Sequence, residues 1–187
     1  MNSKLVFLSN FIKKPKEVAA IAPSSKYVIN RILKNVSLYE ADCIVEYGSG
    51  TGKVTHALLE KMRSNSKLIC FETNLKFYKY LKENVKDDRF IVVNDTAENL
   101  DQYLKKFGVE KVDYVFSGLP FSLIKPKNKE KIIEKTRDIL KKRGKFIVYQ
   151  QYSKLVKKYL KLYFKNISME LEVKNIPPTF VFVCEKI

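Results

Sequence analysis

One ten-residue stretch in the first half of the chain, residues 43–52, constrains the fold more than any other part of the sequence. It reads Cys-Ile-Val-Glu-Tyr-Gly-Ser-Gly-Thr-Gly, a short β-branched run that ends in an acid and three alternating glycines. Apolar residues then recur at helical spacing. A strand, a tight glycine turn and a helix in this order open a nucleotide-binding α/β unit. Glycine permits positive φ angles and lets a ligand approach the bare backbone.

The glycine spacing distinguishes three kinds of nucleotide loop. A P-loop requires Gly-x-x-x-x-Gly-Lys-Ser/Thr, but Tyr47 replaces its first glycine and Val54 its hydroxyl residue. A dinucleotide fingerprint requires Gly-x-Gly-x-x-Gly, and Lys53 occupies the place of its third glycine. The pattern that remains is Glu-x-Gly-x-Gly-x-Gly, from Glu46 to Gly52. A glycine-rich turn without a ligand is the alternative for this loop taken alone.

Two further acids follow predicted strands. The strand predicted over residues 67–72 ends in Glu72, about 20 residues beyond the loop, where an acid can hold both ribose hydroxyls of a nucleoside. The strand predicted over 90–93 leads to Asp95, whose carboxylate can accept a hydrogen bond from an adenine amino group. Asp95 can also cap the helix that follows. The loop and the acids together indicate an adenosine-containing ligand.

The remaining segments predict a single α/β domain over residues 1–187, with five βα units and a closing antiparallel hairpin. Gly144 is expected to end a basic helix before the fifth strand. Beyond the first two strands, we predict strands over 90–93, 112–117, 145–150, 167–173 and 179–184, and helices over 75–85, 97–107, 128–142 and 152–164.

Positive charge is concentrated in two segments. The chain has a net charge of +16, to which residues 1–36 contribute +6 and residues 125–165 contribute +12. The central segment, residues 37–124, has a net charge of −1. This distribution indicates a polyanionic partner, either anionic lipid or nucleic acid, although a lysine-rich solvated surface is the simpler alternative.

The N-terminal segment, residues 1–36, is predicted to be helical and to bind a membrane or cover the pocket. Residues 3–14 project their large apolar side chains onto one face, and three lysines follow, as in an interfacial helix. The sequence has no long apolar run and no recognisable signal peptide. The three cysteines lie in predicted strands and are expected to be buried thiols in a reducing compartment. We therefore expect a cytoplasmic monomer without a bound metal, peripheral on the inner face of the membrane.

Four segments stand in a recognisable order along the chain: Phe11-Ile12-x-x-Pro15 with Ala20-Ile21-Ala22-Pro23-Ser24-Ser25, the loop Glu46–Gly52, Ser117-Gly118-Leu119-Pro120, and Asn175-Ile176-Pro177-Pro178. Together they resemble the bacterial phospholipid N-methyltransferases that act on phosphatidylethanolamine, which are class I S-adenosylmethionine (SAM) methyltransferases. The resemblance implies a Rossmann-like seven-stranded sheet with helices on both faces, an N-terminal amphipathic helix, and SAM as methyl donor with S-adenosylhomocysteine as product.

The same resemblance implies the site residues. It places SAM against Ser24, Ser25, Glu46, Gly48, Gly50, Glu72 and Asp95. The neighbouring residues Ser49, Gly52, Thr73, Thr96, Ser117 and Gly118 complete the predicted cofactor-binding set. Tyr152 matches a tyrosine of that family. Phe121, Tyr149 and Tyr152 are candidates to hold a methylated ammonium group by cation–π attraction, or to pack in the core.

The predicted reaction is methyl transfer to the amine of a phosphatidylethanolamine-type head group at an anionic membrane surface, contacted through residues 1–16 and the basic segment 125–165. The chain also resembles the rRNA adenine dimethyltransferases, so RNA methylation is an alternative. Those enzymes carry Asn-Leu-Pro-Tyr/Phe after the fourth strand, whereas this chain has Gly118-Leu119-Pro120-Phe121 and lacks the side-chain amide. Methylation of a protein lysine is a further alternative.

Overall fold

The computed structural model describes residues 24–151 and 154–187. Within them, the chain forms a seven-stranded sheet with the strand order β3-β2-β1-β4-β5-β7-β6. The strands are β1 (Cys43–Tyr47), β2 (Lys67–Phe71), β3 (Phe90–Val93), β4 (Val112–Ser117), β5 (Leu140–Gln151), β6 (Asn166–Glu172) and β7 (Thr179–Glu185). The α-helices are α1 (Lys26–Leu33), α2 (Lys53–Leu59), α3 (Leu75–Asn84), α4 (Leu100–Lys106), α5 (Pro126–Ile139) and α6 (Val156–Tyr163). The predicted α/β fold with a closing antiparallel hairpin is confirmed.

The sheet has two distinct edges along the strand direction. Strands β1 to β5 are parallel, and β7 is antiparallel to both β5 and β6. Strand β6 therefore ends at the same edge as β1 to β5. We call this edge the carboxyl edge, and we call the opposite edge, where β1 to β5 begin, the amino edge. Open α/β sheets bind ligands at the carboxyl edge, where the strand order reverses, which here is between β1 and β4.

Helices cover both faces of the sheet through separate apolar cores. Helices α4, α5 and α6 pack on one face, against β1 residues that include Val45 and Tyr47. Helices α1, α2 and α3 pack on the other face, against Ile44 and its neighbours. Because β1 is buried on both faces, its sequence is a continuous apolar run interrupted only by Glu46.

The boundary between α5 and β5 differs from the prediction. The helix predicted over 128–142 ends at Ile139, because Leu140 already pairs with Val112 of β4. A Cβ atom on Gly144 would lie 2.9 Å from the Asp113 carbonyl oxygen. Gly144 therefore allows the close approach of two strands, and it does not end a helix.

The other predicted helices need smaller adjustments. The helix predicted over 97–107 begins as a 3₁₀ turn, Ala97–Asn99, before α4. The amphipathic helix predicted over 3–14 lies outside the described residues. Among the helices of the described ranges, none is both long enough and apolar enough to cross a bilayer.

Candidate active site

The glycine loop between β1 and α2 adopts a backbone that only glycine accepts easily. Gly48, Gly50 and Gly52 have φ angles of 73°, 54° and 80°. The Gly48 N–H donates to the Phe71 carbonyl oxygen at 2.8 Å, which holds the loop against the end of β2. A Cβ atom on Gly52 would lie 2.7 Å from Leu81 Cδ2. The turn therefore favours glycine at all three positions, and packing against α3 additionally requires it at Gly52.

Glu72 connects this loop to the end of β2. One carboxylate oxygen accepts from the Gly50 N–H at 2.9 Å, and the other accepts from the Asn74 N–H at 2.8 Å. Burial raises the pKa of Glu72 above its usual range, and the N–H groups of Asn74, Gly50 and Thr73 oppose that shift. The sheet therefore holds a fixed carboxylate beside the loop, at the position where the sequence predicted a ribose ligand.

A cavity of about 370 Å³ opens at the carboxyl edge, within the usual size range of small-molecule sites. Several predicted cofactor residues border it: Gly48, Glu72, Thr73, Asp95, Thr96 and Gly118. Its apolar wall is made by residues that the sequence did not single out as ligands: Tyr47, Phe71, Leu119, Pro120, Leu123, Ile124 and Ile132. The structure therefore brings residues from β1, β2, β3 and β4 around one space.

Asp95 borders this cavity with its carboxylate already oriented. It accepts hydrogen bonds from the Thr96 N–H at 2.6 Å, from the Asn99 amide and from the Tyr103 hydroxyl at 3.0 Å. Burial alone would raise the pKa of Asp95, but these donors lower it, so the side chain stays ionised. The helix cap predicted for Asp95 is supplied by Thr96, whose hydroxyl accepts from the Glu98 N–H.

Glu46 lies under the loop, on the sheet face opposite to Tyr47, and does not border this cavity. One of its oxygens accepts from the Thr55 hydroxyl at 2.6 Å and from the Cys70 thiol at 3.3 Å. Burial raises its pKa. Within the described residues, Glu46 Oε1 and Ser49 Oγ are buried without a hydrogen-bond partner. The Ser49 hydroxyl nevertheless opposes the rise in the pKa of Glu46, so the two side chains lie close together and offer two oxygens with room for donors from a ligand.

The loop before α1 is held by a residue from the far end of the chain. The Ser25 hydroxyl accepts from the Val28 N–H, so Ser25 is the N-cap of α1. The Ser25 N–H donates to Asn175 Oδ1 at 3.3 Å, and the Asn175 amide donates to the Pro177 carbonyl and the Thr179 hydroxyl. We predicted no role for Asn175, although it belongs to one of the motifs quoted above.

The aromatic candidates occupy different environments. Phe121 is fully buried in the core on the α4–α6 side, which corresponds to the core-packing role that was the alternative for this residue. Tyr149 is largely buried on the α1–α3 side, against Gly118 at the end of β4. Ser117 is buried, and its hydroxyl accepts from the Leu119 N–H. Tyr152 lies outside the described residues.

Residues 44–144, more than half of the chain, match the family model for a methyltransferase domain. The chain belongs to this family. The methyltransferase is 25% identical, over 98% of its own length and 96% of the relative's, to an ornithine lipid N-methyltransferase of Singulisphaera acidiphila. It is also 27% identical over 61% of its length to ribosomal RNA small subunit methyltransferase A of Ureaplasma parvum, of which it covers 45%.

Solved structures confirm the class I methyltransferase fold. A precorrin-6y C5,15-methyltransferase of Geobacter metallireducens superposes with a TM-score of 0.72 at 17% identity, covering 88% of this chain and 90% of that one. A 1,6-didemethyltoxoflavin-N1-methyltransferase of Burkholderia thailandensis, solved with S-adenosylhomocysteine, superposes with a TM-score of 0.69 at 12% identity, covering 98% and 88%. The family match, together with this fold, identifies the chain as a SAM-dependent methyltransferase.

The described residues fit this cofactor. The cavity beside Glu72 and Asp95 offers carboxylates for hydroxyl and amino donors and an apolar wall for a flat base. A Cβ atom on Gly48 would lie 3.3 Å from Leu119 Cδ2, so a side chain would narrow the passage along the loop. The unpaired oxygens of Glu46 and Ser49 suit a charged amino-acid end.

Proposed function

We propose that this methyltransferase transfers a methyl group from SAM to the primary amine of a membrane lipid head group, such as phosphatidylethanolamine or an ornithine lipid. The similarity to the ornithine lipid N-methyltransferase supports this acceptor class, since it extends over almost the full length of both chains. The basic segment 125–165 supports it as well, because exposed lysines of this segment can contact lipid phosphates.

The observation that carries the proposal is the contact between Gly118 and Tyr149. A Cβ atom on Gly118 would lie 3.0 Å from both Cε2 and Oη of Tyr149, so the tyrosine ring fills the space that a side chain at position 118 would need. An aromatic ring with a hydroxyl thus lies beside the residue that borders the donor cavity. Aromatic faces attract ammonium groups, which suits an aliphatic amine and its methylated products.

The protonation state of Tyr149 limits its role. Burial, together with the nearby charge of Glu46, raises the pKa of Tyr149 well above its usual value. The phenol therefore stays neutral near pH 7 and does not act as a base. We assign Tyr149 to holding and orienting the acceptor amine, with the ring providing the attraction and the hydroxyl an additional polar contact.

The remaining site residues would bind SAM and align it with the acceptor amine. SAM, when bound, would supply an activated methyl group on a sulfonium. The acceptor ammonium first releases a proton to solvent, and its lone pair then forms the new C–N bond as the C–S bond breaks and S-adenosylhomocysteine leaves. Glu72 would hold the ribose hydroxyls, Asp95 the adenine amino group, and Glu46 with Ser49 the amino-acid end. The apolar wall of the cavity excludes water from the base. In such a reaction the protein contributes mainly by alignment.

The same contact argues against adenine in RNA as the acceptor. In this chain Tyr149 occupies the place where a side-chain amide at position 118 would lie, so the amide that positions adenine in the resembling rRNA enzymes has no room. RNA and protein lysine remain the alternative acceptors for the experiment to separate.

The test uses the full chain and SAM carrying a radiolabelled methyl group. The enzyme is incubated with vesicles of phosphatidylethanolamine, vesicles of ornithine lipid, total RNA and an extracted protein mixture, and the fractions are separated afterwards. We expect label in one or both lipids. Label that appears only in RNA or only in protein would overturn the proposal.

A further inference from the structure

Exposed large apolar side chains are concentrated at the carboxyl edge of the described structure. At this edge, the most exposed is Ile176, at 93%, followed by Val173 at 65% and Leu155 at 64%. The described residues of this kind at the carboxyl edge are Tyr27, Leu75, Leu123, Leu155, Leu171, Val173 and Ile176. Those towards the amino edge are Tyr39, Leu162 and Ile187. A surface of this kind marks an interaction site when its exposed apolar residues cluster.

The topology explains why these residues lie at one edge. Leu123 follows the end of β4, and Leu155 follows the end of β5. Val173 and Ile176 lie in the turn between β6 and β7, and β6 ends at the carboxyl edge. Tyr27 belongs to the first turn of α1. The hydrogen bond from the Ser25 N–H to Asn175 holds the start of this helix beside the loop between β6 and β7. Four separate segments therefore present apolar side chains at the same edge as the donor site.

Lysines surround these apolar side chains. The Lys26 and Lys174 ammonium groups each lie 5.4 Å from the centre of the Tyr27 ring. The Lys154 ammonium group lies 5.2 Å from the centre of the Phe180 ring. All three lysines are exposed. Each combines an apolar stem with a charge that can reach water or a phosphate.

Three acids of the same edge, Glu72, Glu170 and Glu172, are buried or paired with a cation. Glu72 and Glu172 are buried. Glu170 and Glu172 accept hydrogen bonds from the Arg31 guanidinium at 2.6 Å and 2.7 Å. Among the described residues of the β6–β7 turn and the start of α1, the exposed charges are therefore positive.

We propose that this rim, defined as Tyr27, Leu155, Val173 and Ile176 with Lys26, Lys154 and Lys174, docks the enzyme on the interface of an anionic lipid bilayer. The proposal rests on the proposed function, because it places the mouth of the donor site on the surface where amine lipids lie. Apolar tips enter the head-group region, and the lysines meet lipid phosphates. Because the interface of a bilayer is fluid, it can accommodate exposed apolar side chains that lie on separate segments.

The test is co-sedimentation of the full chain with vesicles of phosphatidylglycerol and phosphatidylcholine, which contain no amine acceptor. We expect the double variant Val173→Ser/Ile176→Ser to bind about tenfold more weakly than the wild type, because two apolar side chains no longer enter the interface. Lys154→Glu/Lys174→Glu should bind more weakly still at low salt. The matched control is Leu162→Ser, which removes an equally exposed leucine (65%) near the amino edge and should bind normally.

A second readout separates this proposal from the proposed function. Methylation of a short-chain amine lipid dispersed in detergent does not require docking, so the rim variants should keep wild-type turnover there and lose it on vesicles. A wild type that binds vesicles but methylates no lipid would refute the proposed function and leave the docking rim standing.

Three results would overturn the docking rim. One is vesicle binding by the Val173→Ser/Ile176→Ser variant, and by Leu155→Ser, equal to that of the wild type. Another is a lower melting temperature of the rim variants with unchanged vesicle binding, which would mean that the chain itself covers the rim. The last is a change of oligomeric state in the rim variants with unchanged vesicle binding, which would mean that a second copy covers it.

Discussion

Two buried acids at the carboxyl edge and one exposed acid at the amino edge lie in opposite environments. At the carboxyl edge, Glu46 and Glu72 are buried, and burial raises the pKa of both. At the amino edge, Asp42 is 60% exposed and accepts from the Lys141 ammonium and the Arg63 guanidinium. The hydrogen bond from Lys141 lowers the pKa of Asp42. Buried carboxylates without a cation are expensive to keep, so their presence indicates a binding site, whereas the amino edge is built for stability.

The largest expected difference between the edges concerns two glycines with positive φ. Gly52→Ala at the carboxyl edge introduces a Cβ atom 2.7 Å from Leu81, at a φ of 80°. The loop must move, and a displacement of about 1 Å in a site can cost about a hundredfold in function. We expect this variant to lose the rise in melting temperature that S-adenosylhomocysteine gives the wild type.

Gly108→Ala is the matched control at the amino edge. Its φ is 67°, but nothing lies within 4 Å of the added Cβ atom. We expect a loss of about 1–2 kcal/mol in the free energy of unfolding from backbone strain alone, with the ligand-induced rise preserved. Equal ligand responses of the two variants would contradict the assignment of the carboxyl edge as the donor site.

The next largest effect concerns Tyr149. If its ring attracts the acceptor ammonium, Tyr149→Phe should keep most of the turnover with amine lipid, and Tyr149→Leu should lose about tenfold, since a buried cation–π contact contributes up to about 2 kcal/mol. The comparison is made in kcat/KM with both lipids. Equal losses of kcat/KM in the two variants would show that the aromatic ring of Tyr149 does not attract the acceptor ammonium.

The smallest effect is that Glu46 and Asp42 change the free energy of unfolding with pH in opposite directions. Because the pKa of Glu46 is raised on folding, the folded state keeps this proton longer, and the free energy of unfolding falls as pH rises above the ordinary value of 4.5. The lowered pKa of Asp42 has the opposite sign, so its contribution is present above its ordinary value of 3.8 and is lost as pH falls through the lowered pKa.

Urea denaturation over a pH series separates the contributions of Glu46 and Asp42 to the pH dependence of the free energy of unfolding. Glu46→Gln should flatten the decline above pH 4.5, and Asp42→Asn should remove part of the loss at acid pH. Unchanged slopes in both variants would mean that neither carboxylate titrates differently in the folded and unfolded chains.

Much of the carboxyl edge could be predicted from the sequence because its determinants are local. The alternating glycines specify positive φ angles, and Glu72 and Asp95 follow their strands directly, so topology alone brings them together. The capping role of Ser25 was also readable from its place before an apolar helix.

The remaining features depend on contacts between distant residues. Asn175 and Ser25 are 150 positions apart, and no periodicity links them. The pairing of Gly118 with Tyr149, and of Gly144 with the Asp113 carbonyl, follows from the approach of β4 and β5. Phe121 follows the motif at the end of β4, but its ring packs into the core, because the loop after β4 turns back towards α5.

The central claim is that the carboxyl edge binds the methyl donor through the glycine loop and Glu72. Calorimetric titration of the wild type and of Glu72→Gln with S-adenosylhomocysteine tests it most directly. We expect one saturable site in the wild type and an affinity about 10- to 100-fold lower in the variant, since hydrogen bonds to a charged group contribute about 1.5–3 kcal/mol. No heat of binding in the wild type, or equal affinities in the two proteins, would contradict it.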